Sequence, residues 1–102
     1  MKSGKNQKNP IKITELLAIL SKPGSQVILK SAEVGFTAQI GAHLQMGLTK
    51  RTYYSQLSHL VCAGLIEKTD HIYLLTSFGK LVWLEYIPRL QAAFVSGKDD
   101  DN

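Results

Sequence analysis

The sequence predicts a mainly α-helical domain with one small β-hairpin, an α+β fold. Apolar residues recur at helical spacing through most of the chain up to Gly64. After Gly64 the apolar and polar residues alternate over residues 65–69 and 71–75, which is typical of two short strands. Helical spacing then returns over residues 78–94. The length of 102 residues is that of one domain.

The two ends of the chain differ in composition from the middle. Residues 1–10 contain three lysines and no acidic residue, whereas residues 96–102 contain three aspartates. We expect both ends to be disordered tails, one basic and one acidic, around a folded domain of residues 11–95. The formal net charge of +4 is a moderate excess that is consistent with an anionic partner.

Two helices are predicted before the central part of the chain. The first begins after Thr14 as its N-cap, and Pro23-Gly24 ends it. The second runs from residue 24 or 25 to about Ser31. Residues 34–37 form either a short strand or a loop, and Thr37 is expected to cap the next helix.

The central stretch predicts two helices joined by a tight turn. The first, residues 38–46, has Ile40, Ala42 and Leu44 as its apolar positions. Gly47 ends it, and Thr49 caps a second helix that runs to about residue 63. Two helices joined in this way form a helix-turn-helix unit. The inner face of the second helix is predicted to be Tyr53, Leu57, Leu60 and Val61.

The other face of the second helix is polar and lacks carboxylates. Lys50 and Arg51 lie on it with several hydroxyl side chains, and no acidic residue occurs between Glu33 and Glu67. A helix face without Asp or Glu suits a surface that approaches phosphates. The alternative is a solvated helix that happens to be basic.

A β-hairpin and a last helix complete the predicted domain. The turn lies at Thr69-Asp70-His71, and the inward strand positions are expected to be Leu65, Ile72 and Leu74. Thr76 or Ser77 caps the last helix. Pro88 is expected to kink this helix or to start a new segment, because it lacks a backbone N–H.

This order of elements resembles the winged helix-turn-helix fold. The segments LTKRTYYSQLSHLVCAGLIEK and HIYLLTSFGK are similar to small prokaryotic transcription regulators of the MarR-like and ArsR-like kind, archaeal members above all. The resemblance covers about residues 13–95. In such proteins the glycine after the second helix lets the chain turn back beneath it, and Gly79 would leave room for close packing.

The resemblance implies that the helix from Thr49 enters the major groove of double-stranded DNA. The base contacts implied are Arg51, Thr52 and Ser55. The phosphate contacts implied are Thr37, Gln39, Thr49, Lys50, Tyr54 and Ser58. Lys68 and His71 would belong to the wing, which is shorter than in many relatives and has Asp70 at its tip.

The terminal helices carry more apolar side chains than a small core needs. In winged-helix regulators such helices often form a dimer, and burial of this excess area would favour association. The alternative is that the two helices pack on each other within one chain. The dimer residues implied are Ile13, Leu17, Leu20, Val82, Trp83, Tyr86, Leu90 and Phe94.

Other classes of site have little support in the sequence. There is no phosphate-binding glycine loop, nucleophile elbow or pair of carboxylates, so no enzyme activity and no cofactor are predicted. Cys62 is expected to be a buried apolar residue, and the histidines and this cysteine lack zinc spacing. No stretch is long enough to cross a membrane, and a cytoplasmic location is expected.

The sequence therefore predicts a sequence-specific, double-stranded DNA-binding transcription regulator that acts as a homodimer. An effector ligand and the direction of regulation are not written in it. The alternative is a winged-helix protein–protein interaction module in a larger transcription or replication assembly. The carboxylate-free helix favours DNA, and the short, acidic-tipped hairpin favours a protein partner.

Overall fold

The computed structural model describes residues 11–100, with side chains through residue 96. It is mainly helical with a small antiparallel sheet of three strands, which confirms the predicted α+β class. The elements in chain order are α1 (Ile13–Leu20), α2 (Pro23–Val34), β1 (Phe36–Thr37), α3 (Ala42–Gln45), α4 (Lys50–Cys62), β2 (Ile66–Thr69), β3 (Ile72–Leu75), α5 (Ser77–Lys80), a π-helical segment (Leu81–Tyr86) and α6 (Ile87–Asp100).

The first two helices form where they were expected, with different ends. Helix α1 begins one residue before Thr14, and its N-cap is Lys12, whose backbone N–H donates to the Glu15 carboxylate at 3.4 Å. Helix α2 begins at Pro23, a residue suited to a first helical position because it has no N–H to leave unpaired. A buried hydrogen bond of 2.8 Å, donated by the Ser25 hydroxyl to the Gln56 side-chain oxygen, joins α2 to α4.

The helix predicted over residues 38–46 is reduced to the single turn α3. Ile40 precedes this turn and is 95% exposed, and Leu44 is 73% exposed. The apolar spacing that predicted the helix therefore does not mark a buried face at these two residues, and Ala42 is the buried residue of this turn. The chain between β1 and α3 takes the left-handed conformation at Gly41, which stops a helix from starting at Ala38.

The sheet has the strand order β1–β3–β2, with every pair antiparallel. Residues 70 and 71 connect β2 to β3 and both have positive φ, as a two-residue hairpin turn requires. Ile66 pairs with Leu75 and both are buried, whereas Leu74 pairs with Glu67 on the opposite face. The inward position predicted for Leu74 is therefore wrong. Successive residues of a strand face opposite sides of the sheet, so the buried side chain is that of the next residue, Leu75.

The chain directly after α4 meets the start of α5 at a close backbone crossing. The Thr76 N–H donates to the Leu65 carbonyl at 3.0 Å, and the Thr76 hydroxyl donates to the Gly64 carbonyl. The same hydroxyl oxygen caps α5 by accepting from the Gly79 N–H at 2.9 Å. A Cβ atom on Gly79 would lie 2.0 Å from the Leu65 carbonyl oxygen, so the crossing requires glycine there.

The last helix continues further than expected. Residues 77–100 form one helical run, in which the Ile87 N–H donates to the Val82 carbonyl five residues earlier. This wider turn lies directly before Pro88, which has no N–H for the preceding turn. Residues 96–100, predicted as part of a disordered acidic tail, belong to α6. The predicted basic tail, residues 1–10, and residues 101–102 lie outside the described residues.

The core lies between the helices and the inner face of the sheet. Leu20 and Val82 are each 5% exposed within it, so their assignment to a dimer surface is wrong. Val61 was predicted to face inward and is 41% exposed, because it lies beyond the edge of the buried stripe of α4. The buried apolar residues are Leu16, Leu20, Ile28, Leu29, Ala32, Ala42, Tyr53, Leu57, Leu60, Leu65, Ile66, Leu75 and Val82.

We expect Gly79→Ala to destabilise the protein by about 1–3 kcal/mol or more, because the added methyl group collides with backbone rather than with a flexible side chain. Urea unfolding followed by circular dichroism measures this change. Lys80→Ala, at an exposed position of the same helical turn, is the control and should change stability by less than about 0.5 kcal/mol. Equal stability of the two variants would contradict the observed crossing.

Candidate functional site

Helix α4 is held in one orientation by its cap and its buried face. The Thr49 side-chain oxygen accepts the Thr52 N–H at 3.1 Å, which confirms the predicted N-cap. Tyr53, Leu57 and Leu60 are at most 5% exposed and pack in the core. The opposite side of the helix therefore faces outward along its whole length.

A line of exposed residues runs along that opposite side. Arg51, Ser55, Ser58 and Cys62 are spaced four, three and four residues apart, so they share one face, and all four are exposed. Lys50 and Tyr54 are exposed at the flank of this line. These six residues are called the outer face of α4 below. Its N-terminal half has two cations and no carboxylate.

Thr52 does not belong to the outer face. It is half-buried, and its methyl carbon is 3.0 Å from the position that a Cβ on Gly24 would occupy. The side chain thus packs toward α2 instead of standing beside Arg51. The base contact by Thr52 stays a prediction, and its position on the helix lies between the buried and exposed faces.

Thr37 and Gln39 are exposed, but they do not start a helix. Thr37 lies in β1, where it pairs with Ile72, and Gln39 lies in the loop before α3. The prediction that Thr37 caps a helix is wrong. The phosphate contacts expected from these residues depended on a helix N-terminus there, and the single turn of α3 begins only at Ala42.

The hairpin places a further cation, Lys68, beside α4. Lys68 and His71 are both exposed, and the Lys68 ammonium nitrogen lies 5.9 Å from the centroid of the Tyr73 ring. His71 lies in the turn itself, next to Asp70. The turn has only these two residues, so the hairpin ends close to the body of the protein.

An aromatic cluster fills the space between α4, α3 and the sheet. The centroid of the buried Tyr53 ring lies 4.9 Å from that of Tyr54, in an edge-on contact, and 6.5 Å from that of Phe36. Burial raises the pKa of the Tyr53 phenol, and the neighbouring phenols of Tyr73 and Tyr54 raise this pKa further. His43 is half-buried, and its ring centroid lies 6.2 Å from that of Tyr53.

Cys62 is exposed, which contradicts its predicted burial. It closes the C-terminal end of the outer face and borders a cleft of about 570 Å³ between α1 and α4. Ile11, Ile19 and His59 also line this cleft. The helical spacing from Arg51 indicates that Cys62 lies on the exposed face. The apolar neighbours of Cys62 in the sequence instead favoured its burial in the core.

The remaining apolar residues predicted for a dimer surface differ in exposure. Ile13 and Leu17 on α1 are 59% and 40% exposed, and Tyr86 and Leu90 are 45% and 44% exposed. Phe94 is 67% exposed. Trp83 is half-buried, and its indole N–H donates to the Glu33 carboxylate of α2. Residues 77–96 expose four further apolar side chains that were not among the predicted dimer residues: Phe78, Leu81, Leu84 and Val95.

We expect Thr49→Ala to destabilise the protein by about 1 kcal/mol, because the Thr52 N–H loses its partner at the start of α4. Thermal unfolding monitored by circular dichroism measures the loss. Thr49→Ser keeps the accepting oxygen and should retain most of the stability. A Ser variant as unstable as the Ala variant would show that the methyl group, and not the cap, is important.

Comparisons with protein-family models, curated protein sequences and solved structures gave no match to this chain. Within residues 11–100, no helix has the length and apolar character needed to span a membrane. The same part of the chain contains no group of three His, Cys, Asp or Glu side chains arranged to hold a metal ion.

Proposed function

We propose that the chain is a winged helix-turn-helix protein that binds double-stranded DNA in a sequence-specific manner and regulates transcription in the cytoplasm. The observation that carries this proposal is the outer face of α4. Helix α4 is capped by Thr49 and oriented by the buried Tyr53 on its other side. Its outer face presents Lys50 and Arg51 with hydroxyl groups and no carboxylate. A surface of this chemistry attracts a polyanion and offers donors to base edges.

The outer face divides into two roles in this proposal. Arg51 and Ser55 lie one turn apart near the start of α4, the part of such a helix that meets base edges in the major groove. Lys50 at the flank and Ser58 further along the helix contact phosphates. The Thr49 hydroxyl uses its oxygen for the cap and keeps its proton to donate to a phosphate.

The hairpin corresponds to the wing in this proposal, and it is short. Its two-residue turn holds Asp70, which a phosphate would repel, so Lys68 on the strand is the main cation that the hairpin supplies. One chain thus offers few DNA contacts. A homodimer that reads two half-sites doubles them.

Exposed apolar residues at the ends of the chain support the homodimer. Leu90 is exposed on α6, about one turn after Ile87, which packs against the core. Ile13 and Leu17 are exposed one turn apart on α1. Apolar side chains exposed in this way are stabilised when a second copy covers them, by about 25 cal/mol for each Å² removed from water.

We expect Arg51→Ala to weaken binding to the preferred site by about 1–3 kcal/mol and binding to random DNA by much less. Lys50→Ala should weaken binding to the preferred site and to random DNA by a similar factor. It should also lower the number of counterions released on binding by about one, which reduces the salt dependence of the affinity. Fluorescence anisotropy on a site selected from a random duplex pool, at two salt concentrations, measures these values. Equal losses on both sequences would remove Arg51 from base reading.

We expect Leu90→Glu to raise the dimer dissociation constant by more than about tenfold, because a carboxylate would be buried in an apolar interface. Ala92→Glu introduces the same charge on the other side of α6 and should leave the dimer intact. Sedimentation equilibrium of both variants measures the association. Dimers of unchanged affinity for Leu90→Glu would exclude this part of α6 from the interface.

A protein–protein interaction module is the second candidate, favoured by one observation. Ile40 and Leu44, which precede α4 in the chain, are 95% and 73% exposed, and a phosphate-binding surface has no use for such apolar side chains. Duplex affinity that does not fall as the salt concentration rises, or no affinity at all, would favour this candidate over DNA.

A further inference from the structure

A groove with aromatic walls lies between α4 and the hairpin. Its volume is about 240 Å³, and it shares Tyr54, Leu57 and Tyr73 with a second groove of about 280 Å³ that is also lined by Ser58 and Cys62 of α4. Gln39 and Lys68 line the first groove and are its polar groups besides the phenols. Among residues 11–96, none with a carboxylate side chain lines it. It is called the Tyr54–Tyr73 groove below.

The Tyr54 wall is both rigid and accessible. Its ring contacts Tyr53 at an interplanar angle of 75°, and Tyr53 is only 2% exposed, so the contact anchors Tyr54 to the core. Tyr54 is nevertheless 46% exposed. An aromatic ring that is braced on one side and open on the other gives a planar ligand a surface at little cost in side-chain entropy.

The Tyr73 wall is braced from behind and carries a cation in front. Tyr73 stacks on Phe36 with ring centroids 5.1 Å apart, and its strand pairs Tyr73 with both Phe36 and Lys68. The Lys68 ammonium lies 5.9 Å from the ring centroid. A ring ligand in the groove therefore has a positive charge next to it, in reach of an attached phosphate.

We propose that the Tyr54–Tyr73 groove binds an unpaired nucleobase of DNA, stacked on Tyr54, with Lys68 at its phosphate and the Gln39 amide at its polar edge. Paired bases have their faces covered by their neighbours, so only a base outside a duplex can stack on these rings. This inference rests on the proposed function for its location beside the outer face. It replaces the phosphate contact predicted for Tyr54 with a stacking contact.

The test compares three DNAs with the full chain by fluorescence anisotropy: a paired duplex, the same duplex with a short thymine extension, and the same duplex with an equal abasic extension. We expect the thymine extension to raise the affinity about tenfold and the abasic one to have little effect, because only the former has a base to stack. Equal affinity for both extensions would overturn the inference.

Two Tyr54 variants separate stacking from the phenol. Tyr54→Leu should reduce the gain from the thymine extension to that of the abasic one, and Tyr54→Phe should retain it. A 2-aminopurine base in the extension reports stacking directly through loss of its fluorescence on binding. If Tyr54→Leu keeps both the gain and the fluorescence loss, the groove is not the site, and circular dichroism of each variant excludes misfolding.

The outcome separates this inference from the proposed function. Duplex binding with no gain from the thymine extension overturns the inference and leaves the proposed function standing. If the duplex is not bound, single-stranded thymine and abasic oligonucleotides are titrated instead. Preference for the thymine strand then supports the groove alone, and equal binding or no binding overturns both.

Discussion

The crossing of Leu65 beneath Gly79 is the constraint on which the rest of the fold depends. The carbonyl of Leu65 accepts from the Thr76 N–H, and the nearby glycine lets helix α5 approach the backbone itself. Thr76 adds a hydrogen bond to Gly64 and caps α5. Thr76 thus links the end of α4 to the start of the last helix. The hairpin between them must therefore bring the chain back to the end of α4.

That constraint positions α4 relative to the sheet. The inner strand residues Ile66 and Leu75 pair across β2 and β3 and complete the core beneath the helix. Tyr53 adds a large buried ring from α4 and contacts Phe36 on the sheet side. The outer face of α4 is exposed as a consequence, since a helix buried on one side by such residues cannot rotate without moving them.

The chemistry of the surface changes around α4 over a short distance. Arg51 and Ser55 offer hydrogen-bond donors along the middle of the outer face. Tyr54, at the flank of the same face, borders the aromatic groove that Lys68 also lines. The two surfaces suit different parts of a nucleic acid in our proposals, paired base edges for the first and an unpaired base for the second. Exposed Ile40 at the rim of the groove adds apolar surface that a phosphate backbone alone would not use.

The sequence by itself determined the α+β class, the N-cap at Thr49, the hairpin turn and the polar side of α4, because each depends on local hydrogen bonding or on the spacing of nearby residues. It left the cap of the last helix open between Thr76 and Ser77, and the structure has Thr76 there. Only the tertiary structure decided which borderline positions are covered. Thr52 is turned against α2, and Leu20 and Val82 are buried by elements distant in the chain. Cys62 and Leu74 are uncovered because none of the elements within residues 11–100 packs over them closely enough to bury them. Periodicity gives the direction of a side chain relative to its own helix or strand, and burial also requires a second element at that place.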